Sequence, residues 1–199
     1  MNNYYLLLDS SNAVLSVGIT DKKQMIAKTS YPCFQRQSEY MIVEIDKLLK
    51  NTNINIKEIA GVMVAIGPGS YTGIRIALTI AKVMALALNI PIYPVSTLEI
   101  NKVFGSDSIV LFNARSGRSY IAAFHNNKRI LDDQIMYNNE VISYIKQHAQ
   151  YRLIGDLSYL NLNGEKVDVL DNMMLMFDNI KPINDPNLVK PIYLKESYL

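Results

Sequence analysis

Residues 67–75 carry the densest set of groups that could do chemistry in this sequence. The run Gly-Pro-Gly-Ser-Tyr-Thr-Gly-Ile-Arg follows an apolar stretch and opens a long apolar segment. A glycine-rich turn between a strand and a helix directs several backbone N–H groups to one side, which suits an anion such as phosphate. The same residues also fit a tight turn without a ligand, in which Ser70 or Thr72 caps the helix. Both interpretations stay open on these residues alone.

The spacing of this run excludes three standard motifs. Gly67, Gly69 and Gly73 form G-x-G-x-x-x-G, which is not the G-x-G-x-x-G of dinucleotide-binding loops. No Lys-Ser or Lys-Thr follows Gly73, so the P-loop is excluded. Ser70 lacks glycines two residues to either side and is therefore not the serine of a G-x-S-x-G nucleophile elbow.

A second chemical feature is Asp9-Ser10-Ser11 at the end of the first apolar run. A carboxylate at a strand end, followed by small hydroxyl residues, could orient a hydrated Mg²⁺ that is bound to phosphate. The alternative is an Asx-type turn that closes a hairpin. The residues expected to contact a nucleotide are Asp9, Ser10, Ser11, Gly67, Gly69 and Ser70.

Other catalytic chemistry finds little support. His125 and His148 lie far apart, and Cys33 is the only cysteine, so the sequence has no metal-ligand motif and no internal disulfide. We predict no catalytic residue and no metal site, a structural role for Cys33, and a reducing cytosolic location. Both histidines are expected at element ends, as surface or capping residues.

Composition places the chain among ordered globular proteins. Of its 199 residues 49% are hydrophobic and 19% are charged, and the formal net charge of +2 does not indicate tight nucleic-acid binding. The segment after Ser70 is apolar over about the length of a membrane span, but Arg75 and Lys82 interrupt it and it follows a core strand. We therefore expect a soluble, cytoplasmic protein with no membrane partner.

Hydrophobic periodicity and turn residues predict an alternating order of strands and helices. The first half is predicted to contain strands 4–9, 13–20, 24–30, 59–67 and 92–95, a helix 38–50 with Ser38 as N-cap, a helix 70–88, and a helical start at 96–97. The second half is predicted to contain strands 108–113, 118–124, 128–136, 152–154 and 167–170, helices 139–147 and 172–179, and a proline-punctuated tail 185–199.

This order predicts an α/β fold built from two consecutive β-β-β-α lobes with mixed sheets, the second lobe truncated. The first lobe is expected to span residues 1–100 and the smaller second lobe, with the tail, residues 101–199.

The helix 70–88 has apolar side chains on two sides. One stripe consists of Ile74, Ala77, Leu78, Ala81, Met84, Ala85 and Leu88, and the other of Ile76, Thr79, Ile80, Val83 and Ala87. A small domain usually covers one side of a peripheral helix, so two stripes favour docking of an external helix, with burial of both within the core as the alternative. The residues expected at this interface are Tyr40, Met41, Ile45, Leu48, Tyr71, Ile74, Arg75, Ala77, Leu78, Ala81 and Met84.

Together these residues resemble the TsaB (YeaZ) family. The matching segments are 6–11 with 14–19, 67–75, Ala81-Lys82, 90–91, 95–99, 113–115 with Tyr120, and 191–195. The resemblance covers the whole chain, densely in its first hundred residues, and GPGSYTGIR is its most specific part. It implies the actin/Hsp70/sugar-kinase (ASKHA) fold, with the first two helices as the dimerisation surface.

The resemblance further implies a non-catalytic subunit that pairs with TsaD, a larger paralogue. TsaD transfers a threonylcarbamoyl group to the adenosine next to the anticodon in tRNAs that read codons starting with A, and the ATPase TsaE joins the complex. The implied partners are thus a TsaD-like paralogue, a TsaE-like ATPase, tRNA through the complex, and a second copy when the chain is alone. No cofactor is required by this chain itself, and ATP/ADP is expected only at the partner interface.

Two departures from the family pattern affect these expectations. Gln37 stands where members commonly have His, which argues against a role for that histidine here. Asn113 stands where members often have Asp and lacks the charge that would help hold phosphate and metal, so independent ATP hydrolysis is not expected. The alternatives are a protease-like hydrolase of the glycoprotease superfamily and a small-molecule kinase of the same fold.

Overall fold

The computed structural model describes residues 4–33 and 35–194. Contacts group them into two compact units, one formed by residues 4–96 with 169–192 and the other by residues 97–168 with 193–194. The sequence analysis placed residues 169–192 in the second lobe, whereas their contacts belong to the first unit. Residues 195–199 of the predicted tail lie outside the described residues.

The first unit contains a five-stranded sheet in the order β3-β2-β1-β4-β5. Its elements are β1 (Tyr4–Asp9), β2 (Val14–Thr20), β3 (Met25–Pro32), α1 (Gln37–Thr52), β4 (Ile59–Ala65), α2 (Tyr71–Leu88), β5 (Ile92–Val95) and α4 (Val169–Leu175). The first three strands pair antiparallel, while β4 is parallel to both β1 and β5. The central β1 and β4 are nearly continuous in apolar residues because both faces of the sheet are covered.

The second unit repeats this order with one strand fewer, β8-β7-β6-β9. Its elements are β6 (Ser108–Arg115), β7 (Arg118–His125), β8 (Lys128–Tyr137), α3 (Asn138–Gln147) and β9 (Arg152–Ile154). β6 pairs antiparallel with β7 and parallel with β9, as β1 does with β2 and β4. The two mixed sheets confirm the predicted duplicated α/β architecture with a truncated second lobe.

Three predicted elements differ from the structure. Residues 96–97 open only a short 3₁₀ turn at Glu99–Asn101. Residues 167–170 do not form a strand, because α4 begins at Val169, and the predicted helix 172–179 is instead the end of α4 followed by a 3₁₀ turn at Phe177–Asn179. Local propensity was too weak in these short segments to separate helix from strand.

Candidate functional site: the turn before α2 and the groove between α1 and α2

The turn before α2 packs directly on the loop that follows β1. The Ser70 amide donates to the Ser11 carbonyl oxygen at 2.7 Å, and the Ser10 hydroxyl donates to the Gly73 carbonyl oxygen at 2.7 Å. A Cβ atom added to Gly73 would lie 1.9 Å from the Ser10 carbonyl oxygen, and one added to Gly69 would lie 2.4 Å from that of Ser11. Glycine is therefore required at both positions by the close approach of another backbone.

Ser70 is the N-cap of α2, since its hydroxyl oxygen accepts from the Gly73 amide at 3.2 Å. This confirms one of the two capping residues predicted from the sequence. In this conformation the Ser70 hydroxyl oxygen therefore stabilises the start of α2.

Asp9 is buried at the end of β1 and forms the predicted Asx-type turn. Its Oδ1 atom accepts from the Ser11 amide at 2.8 Å and from the Ser11 hydroxyl at 2.6 Å. Burial raises the pKa of the Asp9 carboxyl above its ordinary value, although both Ser11 hydrogen bonds oppose that shift. A buried carboxylate of this kind is held at a free-energy cost, as is common at functional sites.

The fit of a nucleotide phosphate to these residues can be tested against the hydrogen bonds. The amides of Ser11 and Ser70 both donate within the protein, to Asp9 and to Ser11, and the two loops touch at Gly69 and Gly73. The loops would have to separate before phosphate oxygens could replace these partners. In the described conformation the residues do not form an anion cradle, and nucleotide binding here stays a prediction.

The start of α1 is organised differently from the prediction. Arg36 rather than Ser38 occupies the N-cap position, and no described side chain caps this helix. Gln37, the residue that departs from the family pattern, is buried, and its Nε2 atom donates to the Asn12 carbonyl oxygen at 3.1 Å. Gln37 therefore ties α1 to the loop after Asp9.

A groove of about 480 Å³ lies between α1 and α2. It begins at the first turns of both helices and continues along α2. Its lining side chains are mainly apolar, with hydroxyl groups and one guanidinium: Ser38, Ile42, Tyr71, Thr72, Arg75, Ile76, Thr79 and Ile80. Large apolar side chains stand exposed beside it, with relative exposures of 61% for Ile42, 59% for Val83 and 64% for Leu86.

The predicted interface residues divide into two groups by burial, and their role at an interface stays a prediction. Most of the predicted set is buried within the unit: Met41, Ile45, Leu48, Ile74, Ala77, Leu78 and Ala81. Tyr71 and Arg75 are exposed and line the groove, and Tyr40 and Met84 are half-buried. The stripe that faces outward is the second one, and the sequence signal for it was its regular spacing at 76, 79, 80, 83 and 87.

Two arginine–tyrosine stacks lie at the starts of α2 and α1. The Arg75 guanidinium lies 4.0 Å from the ring centroid of Tyr71, and that of Arg36 lies 4.7 Å from the ring centroid of Tyr40. Arg36 also pairs with Glu39. Stacking favours a fixed position for each guanidinium. Arg75 contributes a cation to the lining of the groove, whereas the charge of Arg36 is paired with that of Glu39.

Helix α2 is the one helix in the described ranges that is long and apolar enough to cross a membrane, judged by length and composition. Its Ile74, Ala77 and Ala81 side chains are fully buried in the core of the first unit. One side of α2 is therefore packed on the core of the first unit, while the other side is exposed.

Other chemically capable residues serve local structure. Cys33 is buried, and the His148 ring pairs through Nδ1 with the Tyr144 carbonyl oxygen at the end of α3. The Asn113 side chain accepts from the Arg115 amide at 2.7 Å and thereby shapes the turn between β6 and β7. Within residues 4–33 and 35–194, no three His, Cys, Asp or Glu side chains are grouped as a metal site would need.

Two duplicated mixed sheets define an actin-like α/β protein. Residues 33–170 match the family model described as TsaD, tRNA N6-adenosine threonylcarbamoyltransferase. The chain is 28% identical over 195 residues to the tRNA threonylcarbamoyladenosine biosynthesis protein TsaB of Buchnera aphidicola subsp. Schizaphis graminum, covering 92% of each chain. It is 30% identical over 142 residues to TsaB of Bacillus subtilis, covering 69% of this chain and 62% of that one.

Solved structures share the fold. A Pseudomonas aeruginosa protein with similarity to peptidase YeaZ superposes with a TM-score of 0.80 at 18% identity, over 97% of this chain and all of that chain. YeaZ from the same organism gives a TM-score of 0.72 at 16% identity, over 96% of this chain and all of that one. The chain belongs to the TsaB (YeaZ) family and has its actin/Hsp70/sugar-kinase fold.

Proposed function

We propose that this chain is a cytosolic, non-catalytic subunit that docks a larger TsaD-like paralogue and thereby supports threonylcarbamoylation of tRNA. The observation that carries the proposal is the exposed apolar groove between α1 and α2. Ile42 lines the groove, and Val83 and Leu86 lie about one and two turns beyond the lining residue Thr79 on the same side of α2. Each of the three exposes more than half of its surface, which is unusual for a face that stays in contact with water.

The charges of α2 favour the paralogue over a second copy as the occupant of the groove. α2 carries Arg75 and Lys82 and has no acidic residue between Tyr71 and Leu88. Two copies packed through α2 would bring these cations together, which opposes association. A partner helix with an apolar centre and acidic residues at its edge complements the face in both respects.

A supporting rather than catalytic role agrees with how the reactive groups are used. Asp9 is engaged by Ser11, Ser70 caps α2, and Asn113 supports a turn. A nucleotide at the partner interface, and a TsaE-like ATPase in the assembly, extend the same proposal. Catalysis would then belong to the larger paralogue.

Co-purification of the chain with its larger paralogue, expressed together, tests the docking. We expect the wild type to retain the paralogue and Val83→Glu to lose it, because an ionised carboxylate would be buried in an apolar interface. Leu175→Glu is the matched control, since Leu175 is 56% exposed in the same unit and lies at the end of α4, which packs on β1, β2 and β3. Retention of the paralogue by Val83→Glu, or self-association of the wild type that excludes it, would overturn the assignment.

A further inference from the structure

Loop 10–13, which follows β1, is bonded to the first turn of α2. The Ser10 hydroxyl donates to the Gly73 carbonyl oxygen, and the Ser11 carbonyl oxygen accepts from the Ser70 amide, both at 2.7 Å. The two backbones are in direct contact here, because a Cβ atom added to Gly73 would lie 1.9 Å from the Ser10 carbonyl oxygen. The start of α2 therefore cannot shift without moving the loop.

The same loop is bonded to the start of α1. The Gln37 Nε2 atom donates to the Asn12 carbonyl oxygen at 3.1 Å, and the Cys33 amide donates to the Ala13 carbonyl oxygen at 2.9 Å. One four-residue loop thus links the starts of two helices that are distant in sequence.

These two helix starts form one end of the groove. Ser38 lies in the first turn of α1, and Tyr71 and Thr72 lie in the first turn of α2, and all three line the groove. The spacing of the lining residues at this end therefore depends on the loop that holds both helices.

The inner side of the loop is fixed by Asp9. The Ser11 amide and hydroxyl both donate to the Asp9 carboxylate, which is buried in the sheet. A change at Asp9 would reach the groove through Ser11 and then through the contacts to Ser70 and Asn12.

We infer that loop 10–13 sets the geometry of the docking groove, with Ser10 and Gln37 as positioning residues. The effect on partner affinity rests on the proposed function. If the chain docks the paralogue through the groove, the affinity should depend on Ser10 and Gln37, which the partner does not touch. It also gives the glycines of the 67–75 run a purpose, since Gly69 and Gly73 form the surface that receives the loop.

Amide hydrogen exchange of the isolated chain tests the linkage directly. Ser10→Ala removes the bond to α2, and Gln37→Glu is isosteric but has no donor when ionised. We expect each variant to accelerate exchange about fivefold at the hydrogen-bonded amides of both helix starts, Glu39 in α1 and Ile74 in α2, the ratio that follows from the loss of one ordinary hydrogen bond. The diagnostic signal is the distant one: α1 in Ser10→Ala, and α2 in Gln37→Glu.

Ser16→Ala is the matched control, because Ser16 is a fully buried serine whose hydroxyl pairs with that of Ser30 at 2.8 Å. Gln37→Met keeps the size of the side chain without a donor or charge, and it serves if Gln37→Glu does not fold. Faster exchange confined to the helix that each residue touches would overturn the inference. Equal acceleration of both helix starts by Ser16→Ala would do the same.

Affinity for the larger paralogue supplies the second measurement. We expect the dissociation constant to rise about threefold to tenfold in Ser10→Ala and in Gln37→Met, and to stay unchanged in Ser16→Ala at equal loss of Tm. An unchanged constant in the first two variants would contradict the inference. If the wild type does not bind the paralogue, the proposed function is wrong. The exchange experiment would still show whether loop 10–13 links the starts of α1 and α2.

Discussion

At the scale of single residues, Asp9 is where charge and burial conflict most clearly. Its carboxylate is enclosed by the sheet and accepts two hydrogen bonds from Ser11, yet burial outweighs them and its pKa is raised. In the pH range between the ordinary pKa and the raised one, the folded state binds a proton that the unfolded state does not. The free energy of unfolding therefore falls as pH rises through this range.

Asp9→Asn removes this titration and keeps an acceptor for Ser11. We expect the Tm of the variant, relative to wild type, to increase as pH rises from about 4 to neutral, because only the wild type loses stability as its buried carboxyl ionises. Thermal unfolding of both proteins over this pH range measures the difference. A difference that does not change with pH would show that Asp9 does not titrate in this way.

Gly73 offers a second test, in which packing opposes helix propensity. Alanine is favoured over glycine inside a helix by about 1 kcal/mol, but the added Cβ atom would lie 1.9 Å from the Ser10 carbonyl oxygen. We expect Gly73→Ala to lower the free energy of unfolding by about 2 kcal/mol or more, measured by urea denaturation. Gly18→Ala is the control, since its Cβ atom would meet only the flexible side chains of Met25 and Leu170.

At the scale of elements, the segment 169–192 is held on the first unit by aromatic and charged contacts. The Lys22 Nζ atom lies 4.4 Å from the ring centroid of Tyr5 and 5.3 Å from that of Phe177, and the two rings are 4.9 Å apart. Lys28, on the same hairpin, pairs with Asp171 at the start of α4. The β2–β3 hairpin therefore anchors the returning chain.

Lys22→Gln should weaken this anchor. We expect a loss of about 0.5–2 kcal/mol in the free energy of unfolding, the range of a partly desolvated cation–π contact, together with faster proteolysis within residues 169–192. Lys23→Gln changes the neighbouring exposed lysine in the same turn and is expected to have little effect. Equal behaviour of the two variants would remove the role assigned to Lys22.

The sequence predicted most of these elements, but not which stripe of α2 faces the sheet. Both stripes are apolar, so periodicity alone is ambiguous. Tertiary packing decides the rotation, because Gly73, Ala77 and Ala81 form a seam of small residues that lets α2 approach the strands. The four-residue spacing of these small residues therefore indicated the side of α2 that packs on the sheet. The sequence analysis instead assigned Ala77 and Ala81 to the docking side.

Contacts between segments distant in sequence could not be predicted either, because they too depend on tertiary packing. The turn chemistry of Asp9-Ser-Ser and the cap at Ser70 follow from local residue types. The bond from Gln37 to Asn12 and the glycine contacts depend on how β1, α1 and α2 are brought together. Only the folded structure shows that the two sequence motifs contact each other.

At the scale of the whole molecule, the two units share their strand order, but the groove is a feature of the first unit. The second unit keeps the β-β-β-α-β order and has, among its described elements, no counterpart of α2. The first unit is thus the one elaborated with an additional long helix and an exposed apolar face. Family membership and this face together lead to the account of the chain as a docking subunit.

The threonylcarbamoyladenosine content of tRNA, measured by mass spectrometry after depletion of the chain, tests that account most directly. Wild type and Leu175→Glu are each expected to restore the modified nucleoside, whereas Val83→Glu is expected to leave it depleted, although its Tm should change little because Val83 is exposed. Undiminished threonylcarbamoyladenosine after depletion, or full restoration by Val83→Glu, would contradict the account.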